Sequence, residues 1–243
     1  MKGGRKMDEI GIFFDILHTS RDWGLKLVSY HIPMPSVKEK VQDLPGAQGV
    51  LDLTEANGTV YYNRRENIEI VLELMDDSYQ VWLARYSEIA AAIHGQKMKM
   101  ILDDQPDYYY MVRLNLDSTK SDPVLSQFVL TGTADPFKYD VSTSAEDWLW
   151  DPFNFRTGVI RVLKDIRITT TNKSVKVAGG GISTAPIFRV KTSNSLKVTF
   201  GGKSYPLAVG RNRLPEIRVG KTDVTLNFTG TGELTIDYRG RYL

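Results

Sequence analysis

One stretch of the sequence, residues 78 to 94, has the periodicity of an amphipathic helix, and it constrains the fold of the chain around it. Apolar side chains recur there at steps of three and four, which places them on one helix face. These side chains are Tyr79, Trp82, Leu83, Tyr86, Ile89, Ala90 and Ile93. Residues 76–78 supply an N-cap and negative charge at the positive end of the helix dipole, and Gly95 can end the helix in a left-handed conformation. Such a face must pack on a hydrophobic surface, and we expect antiparallel strands to provide it.

Strand patterns flank this predicted helix. Apolar and mostly acidic residues alternate over 68–74, which predicts a half-buried strand. Two more strands are expected at 98–102 and 108–116, joined by a turn that contains Asp103, Asp104 and Asp107. These three carboxylates could suggest a calcium or glycosidase site. The turn interpretation is favoured, because Asp is common in turns and a calcium loop needs further oxygen ligands and a later Glu.

Three further patterns complete the first part of the chain. Residues 9–17 begin as a strand, and Asn57-Gly58 predicts a type I′ hairpin between strands at 50–55 and 59–63. A last strand over 124–134 is expected to end at Pro136, because proline cannot donate to a strand ladder. We therefore expect about seven strands and one helix in a first domain over residues 1–140.

The segment from His31 to Gly46 shows neither helical nor strand periodicity. It holds three prolines and a charged centre, Lys38-Glu39-Lys40. Because proline is confined to sheet edges, this segment is expected to form a projecting loop or an edge arm. A loop of this length inside a compact domain indicates a functional extension.

The second part of the chain differs from the first in pattern and in charge. Residues 1–140 carry 15 basic and 21 acidic residues, a net charge of −6, whereas residues 141–243 carry 16 and 8, a net charge of +8. After an aromatic junction at 145–158, strands are predicted at short, even spacing with glycine-rich turns between them. The expected strands are 165–170, 174–178, 186–192, 195–200, 203–209, 212–219, 222–228 and 233–239. The predicted fold class is therefore mainly β: an N-terminal β-sandwich or split-barrel-like domain with one α-helix, followed by an antiparallel β-sandwich over 141–243.

Composition argues against most kinds of catalytic site. The chain has no cysteine, which excludes disulfides, cysteine-zinc sites and thiol catalysis. Its histidines, His18, His31 and His94, do not have the spacing of a metal motif, and none lies in the second domain. The glycine runs at 179–181 and 201–202 lack the Lys-Ser/Thr and helix start of a phosphate loop. We therefore expect no enzyme activity, cofactor or metal.

Two further absences concern partners. No run of about eighteen apolar residues exists, and MKGGRKM is not followed by the apolar core of a secretory signal, so no membrane insertion is expected. The basic residues of the second domain are spread along strands, which predicts a solvated face and no stable nucleic-acid binding.

Carbohydrate binding is the alternative function, because β-sandwiches often serve as lectins. All four tryptophans precede residue 151, and the predicted helix buries one of them. The aromatic residues of the second domain that could form a sugar platform are expected to be core residues instead: Phe188, Phe200, Tyr205, Phe228 and Tyr238. A carbohydrate-binding module that recognises cell-wall polysaccharide nevertheless stays open as the alternative function.

An ordered series of short motifs runs through nearly the whole chain. The series is Trp23-Gly24-Leu25, Pro33-x-Pro35, Leu44-Pro45-Gly46, 49–54 (GVLDLT), Tyr62 before Arg64-Arg65, Ile93-His94-Gly95, Asp104-x-Pro106-x-Tyr108-Tyr109-Tyr110, Asp135-Pro136-Phe137-x-Tyr139, Asn212-Arg213-Leu214-Pro215 and the ending 238–243 (YRGRYL). In this order the motifs resemble the distal tail protein (Dit) family of long-tailed, siphovirus-type bacteriophages.

The resemblance implies a hub of the phage tail tip or baseplate. Family members form a homo-hexameric ring through the N-terminal domain, and a galectin-like sandwich follows. Their partners are the major tail protein, the tail-associated lysin or spike protein, and a receptor-binding protein or its adaptor. The implied location is the virion, after synthesis in the host cytoplasm. The sugar-binding residue set of galectins has no counterpart here, so the fold alone does not imply sugar binding.

In such a ring, loops and edge strands would form the contacts between subunits or between stacked rings. The candidate contact residues are Pro33, Pro35, Lys38, Lys40, Asn57, Gly58, Asp103, Asp104 and Asp107. Part of the acidic charge of the first domain is expected to face the channel, where it would repel DNA phosphates.

Overall fold

The computed structural model describes residues 10–46, 48–74, 79–117, 127–145, 162–169 and 173–243. The chain forms two compact units. The first comprises Met1–Gln105, Tyr109–Lys138 and Leu243, and the second comprises Pro106–Tyr108 and Tyr139–Tyr242. The fold is mainly β and its sheets are antiparallel, as predicted. The main break between the units falls after Lys138. The junction predicted at 145–158 lies, apart from its first residue, outside the described residues.

The first unit contains two helices and nine strands in the described part of the chain. In chain order these are β1 (Ile12–Phe14), β2 (Leu17–His18), α1 (Thr19–Trp23), β3 (Leu25–His31), β4 (Val41–Asp43), β5 (Val50–Asp52), β6 (Arg65–Leu74), α2 (Tyr79–Ile93), β7 (Lys97–Leu102), β8 (Tyr108–Leu116) and β9 (Gln127–Asp140). The main sheet has the order β2-β1-β7-β8-β9-β6-β3, and β4 and β5 form a separate two-stranded sheet. One face of the main sheet packs on α2 around a continuous apolar core.

The helix predicted over 78–94 is confirmed as α2, but its buried face is narrower than the predicted stripe. Trp82, Ile89 and Ile93 are buried, and the Trp82 ring stacks on Phe128 of β9 at a centroid distance of 5.3 Å. Leu83 remains 40% exposed, because the sheet covers only the part of the helix surface that Trp82, Ile89 and Ile93 form. Residues 76–78, predicted as the N-cap, lie outside the described residues. At the other end, Gly95 has φ +72°, the left-handed conformation expected of it.

The prediction of a single helix in the first domain was wrong, because Thr19–Trp23 form a second, short helix, α1. The His18 Nδ1 atom accepts a hydrogen bond from the Arg21 N–H at 3.2 Å and caps this helix. Gly24 ends it with φ 65°. Upstream, Asp15 with φ 52° divides the predicted opening strand into β1 and β2.

The prediction that Pro136 ends the last strand of the first domain was also wrong. β9 continues through Pro136 to Asp140. Its ladder with β6 runs only as far as the pair Arg65↔Ala134. Pro136 lies beyond that last partner, so its missing N–H removes no bond from this ladder.

The second unit contains seven described strands. They are β10 (Ile166–Ile168), β11 (Lys173–Val177), β12 (Ile187–Phe200), β13 (Lys203–Pro206), β14 (Gly210–Arg213), β15 (Val224–Asp237) and β16 (Arg241–Tyr242). The long strands β12 and β15 pair with each other, and the shorter β10, β11, β13 and β14 pair along their outer edges.

Two predicted turns in the second unit are bends within long strands. The strands predicted at 186–192 and 195–200 are one strand, β12, and those at 222–228 and 233–239 are β15. The ladder between them shifts register between Val190 and Thr192 and between Asn194 and Lys197. Gly230 has φ +82° beside this shift. The polar and glycine residues there therefore bend a continuous ladder and do not end it.

The bend brings the apolar faces of the two halves of this sheet into one core. Phe188 and Phe228, which lie on opposite sides of the bend, meet edge to face with ring centroids 6.5 Å apart. Leu226, Leu234 and Ile236 of β15 are fully buried in the same cluster. This is the geometry in which strands turn a corner through bulges and pack against themselves.

Candidate interaction surface

The most exposed element of the first unit is a two-legged arm, residues 36–63, which lies between Pro35 and Arg64. Its base is closed by the Asn63 N–H, which donates to the Ser36 carbonyl at 2.9 Å, and by the Lys38 N–H, which donates to the Tyr61 carbonyl at 2.8 Å. Further out, β4 pairs with β5 from Val41↔Asp52 to Asp43↔Val50. A projecting segment was expected over residues 31–46 and a strand over 50–55, where β5 lies. The strand β4, inside the segment expected to be irregular, was not predicted.

The hairpin predicted around Asn57-Gly58 does not form, because its first strand is already paired. Residues 50–52 pair with β4, and the Asp52 carboxylate accepts from the Thr54 N–H at 2.8 Å, which turns the chain away. Asn57 and Gly58 instead lie in a loop on the second leg. There the Gly58 N–H donates to the Glu55 carbonyl at 2.7 Å, and Gly58 has φ +73°.

The arm has no core of its own. None of its described residues is buried. Of the fifteen large hydrophobic residues that are exposed in the described part of the chain, six lie in these 28 positions: Val37, Val41, Leu44, Val50, Leu51 and Tyr61. A two-stranded hairpin is marginally stable on its own, and clustered exposed apolar side chains mark interaction surfaces. The arm therefore has the features of a surface that another polypeptide covers.

The predicted contact residues on the first leg of the arm and just before it have two different environments. Lys38 and Lys40 are exposed on its first leg. Pro35 is buried and Pro33 is half-buried, so these prolines anchor the segment that leads into the arm.

The carbonyl of Pro33 is bonded by Arg65. In the sequence, Arg65 stood out only as part of the motif with Tyr62 and Arg64. Arg65 is 2% exposed. Its Nη1 donates to the Pro33 carbonyl at 2.8 Å and its Nε to the Pro136 carbonyl at 3.1 Å. Burial lowers the pKa of Arg65. The sequence held no signal for this burial, since an arginine at a strand start is usually exposed.

The turn between β7 and β8 has the predicted position, and it holds neighbouring segments in place. The Asp103 carboxylate accepts from the Gly11 N–H and lies 3.1 Å from His18 Nε2, which is buried. Because the His18 Nδ1 accepts from the Arg21 N–H, Nε2 is the ring nitrogen that donates to Asp103. The Asp103 carboxylate therefore makes its hydrogen bonds within the first unit.

The other two aspartates of the turn also have partners. The Tyr30 hydroxyl of β3 donates to the Asp104 carboxylate at 2.6 Å, and this bond, with burial, raises the pKa of Tyr30 to about 12. The Asp107 carbonyl accepts from the Val141 N–H at 2.9 Å. A contact role for the three aspartates stays a prediction.

The second unit has an open depression of about 340 Å³ at the bend of its sheet. Its lining residues include Arg167, Asn194 and Glu233, and the Arg167 Nε donates to the Glu233 carboxylate at 3.3 Å. Aromatic platforms usually form the stacking surface of a sugar site, yet Phe188, Phe228 and Tyr238 are buried in the core. These three residues belong to the core, as the sequence predicted. Phe200 and Tyr205, predicted with them, are only partly buried and pack against that core.

Among the described residues, no group of three or more His, Asp or Glu side chains is placed to hold a metal ion. Neither helix of the described chain is long and apolar enough to cross a membrane.

Comparison with known proteins gives matches in structure only. The sequence matches no protein-family model and no curated protein. The structure is similar to the crystal structure of the Dit protein (gp 19.1) of phage SPP1, with a TM-score of 0.60 and 14% sequence identity. The match covers 95% of this chain and 98% of that chain. That protein is described as a paradigm of the hub adsorption apparatus in phages that infect Gram-positive bacteria.

A second similar structure belongs to the baseplate of phage p2 in its activated conformation with Sr. Its TM-score is 0.41 at 11% identity, over 93% of each chain. At this level of similarity only the SPP1 protein supports an inference, and it shows that the two chains share a fold along their whole length.

Proposed function

We propose that this chain is a structural protein of a phage tail tip or baseplate, a hub that joins the tail tube to the host-adsorption proteins. The observation that carries the proposal is the fold shared with the SPP1 Dit hub protein over 95% of this chain and 98% of that one. The motif series in the sequence points to the same family independently of the coordinates. The proposed location is the virion, after synthesis in the host cytoplasm, and the proposed role is not enzymatic.

The proposed assembly is a homo-hexameric ring. The arm supports self-association, because its apolar side chains are exposed in the described part of the chain. Closed rings bury such surfaces in identical contacts around the axis. The major tail protein, the tail-associated lysin or spike, and a receptor-binding protein or adaptor are the proposed further partners. Part of the acidic charge of the first unit is proposed to line the channel.

Light scattering on the purified full-length chain tests this proposal, together with electron microscopy of the same sample. We expect a ring-sized particle whose population rises with protein concentration. The double variant Val41→Asp and Leu51→Asp should dissociate it, because two charges would be buried at the contact. The control Val209→Asp changes a valine that is 66% exposed outside the arm and should leave the ring intact.

Two results would contradict the proposal. One is a monomer at every concentration, alone and in the presence of the tail proteins encoded with it. The other is a ring that the arm variants do not weaken, which would remove the arm from the contact. A channel lined mainly by Lys and Arg in a map of the ring would overturn the proposed channel charge.

A further inference from the structure

Arg65, the first residue of β6, is a buried cation without a carboxylate partner among the described residues. Its Nη2 atom is buried and has no hydrogen-bond partner in that part of the chain. Removing a guanidinium from water costs several kcal/mol before any contact is made. A hydrophobic residue at this position would avoid that cost, so the charge is expected to have a role other than stability.

The contacts of Arg65 converge on the base of the arm. Nη1 donates to the Pro33 carbonyl at 2.8 Å and lies 3.8 Å from the Met34 Sδ. Nε donates to the Pro136 carbonyl of β9 at 3.1 Å, and the guanidinium carbon lies 5.5 Å from the centre of the Tyr110 ring of β8. One side chain thus connects the entering segment of the arm to two strands of the main sheet.

The position of Arg65 in the chain lets it act on both legs of the arm. The second leg ends at Asn63, two residues before Arg65. The Asn63 Nδ2 donates to the Ser36 Oγ at 3.0 Å. The first leg begins after Pro33 and Pro35, whose rings fix their φ angles. A hydrogen bond to the Pro33 carbonyl therefore sets the direction in which a stiff segment leaves the sheet.

We propose that Arg65 is a positioning residue that fixes the direction of the arm relative to the main sheet, ready to dock on a second copy of the chain. The docking part rests on the proposed function, whereas the ordering of the arm does not. The role requires a guanidinium, which has two separate N–H donors, because the carbonyls of Pro33 and Pro136 belong to different segments.

Hydrogen exchange of the full-length chain, read by mass spectrometry, tests the ordering directly. Arg65→Met should speed exchange in peptides that contain the Lys38 and Asn63 amides by roughly 10-fold or more, since it removes bonds from a charged donor. The melting temperature should change by less than about 5 °C, because losing the buried charge offsets part of the lost bonding. The control Arg64→Met removes an exposed side chain paired with Glu66 and should change neither.

A second variant and a second measurement separate this inference from the proposed function. Arg65→Lys keeps the charge but not the fork, so arm exchange should stay fast. Unchanged arm exchange in Arg65→Met, or full protection in Arg65→Lys, would overturn the inference. If the wild-type chain does not self-associate, the docking part and the proposed ring fail together, and the exchange experiment still decides the ordering. If the chain forms rings, Arg65→Met should weaken them at unchanged melting temperature; rings of undiminished stability would overturn the docking part.

Discussion

At the scale of single residues, two carboxylates of the β7–β8 turn, those of Asp103 and Asp104, bond to other segments of the first unit. Asp103 joins the N-terminal strands to this turn through Gly11 and His18. Gly11 is needed there, since a Cβ atom at this position would lie 2.6 Å from the His18 Cε1. Sequence patterns located the turn and its residue types correctly. They could not give these contacts, because the partners are about 85 to 92 positions away.

The bond from Tyr30 to Asp104 gives a prediction for the dependence of stability on pH. Tyr30 keeps its proton in the folded protein to a pKa of about 12, whereas the unfolded chain releases it near 10.0. The unfolded state therefore binds fewer protons between these values, and this contribution to stability is lost as pH rises from 10 to 12. Below pH 10 it is fully present.

Urea unfolding of Tyr30→Phe and the wild type measures this contribution. We expect the variant to be less stable by about 0.5–1.5 kcal/mol at pH 8, the usual net value of one hydrogen bond. The difference should shrink towards zero between pH 10 and 12. The matched control Tyr61→Phe changes an exposed tyrosine of the arm. A difference that stays constant to pH 12 would show that the Asp104 bond does not retain the Tyr30 proton.

At the scale of elements, periodicity predicted which segments are regular better than where they end. α2 was located within one residue at each end, because its apolar repeat, together with Gly95, is a local signal. β12 and β15 were each predicted as two strands, because Ser193-Asn194 and Gly230 are also typical of turns. Whether such residues end a strand or bend it depends on the pairing of distant strands, which no local pattern contains.

The bend at Gly230 gives a prediction that separates backbone strain from crowding. A Cβ atom at Gly230 would lie 2.3 Å from the Ser195 carbonyl oxygen, whereas one at Gly201 would meet nothing within 4 Å. Both glycines have positive φ, +82° and +57°. We expect Gly201→Ala to cost about 1 kcal/mol from backbone strain alone and Gly230→Ala to cost several times more. Chemical denaturation checks both values, and equal costs would mean that the bend relaxes freely.

At the scale of the whole molecule, the chain carries two apolar cores that share no residue. The first is organised by α2 and the second by the long strands β12 and β15. The mainly β class and the position of α2 could be predicted from sequence alone, whereas α1 was missed. Arg65 and the pairing within the arm could not, because their burial and register follow from tertiary contacts.

Separate cores predict separate effects of core mutations on thermal unfolding. Trp82→Ala should lower the melting temperature of one calorimetric transition, and Phe228→Ala should lower that of another. Truncating a buried aromatic side chain reduces the free energy of unfolding by about 3–5 kcal/mol. Each variant is the control for the other. One transition that both variants shift equally would show that the two units unfold as a single cooperative body.

The unbroken course of β12 and β15 has a mechanical consequence. Two strands of 14 residues each are joined by one antiparallel ladder that continues through the bend. A force that slides one strand along the other is shared by all the hydrogen bonds of this ladder at once, whereas separate short hairpins would open one bond after another. We therefore expect the second unit to resist tension applied along these strands.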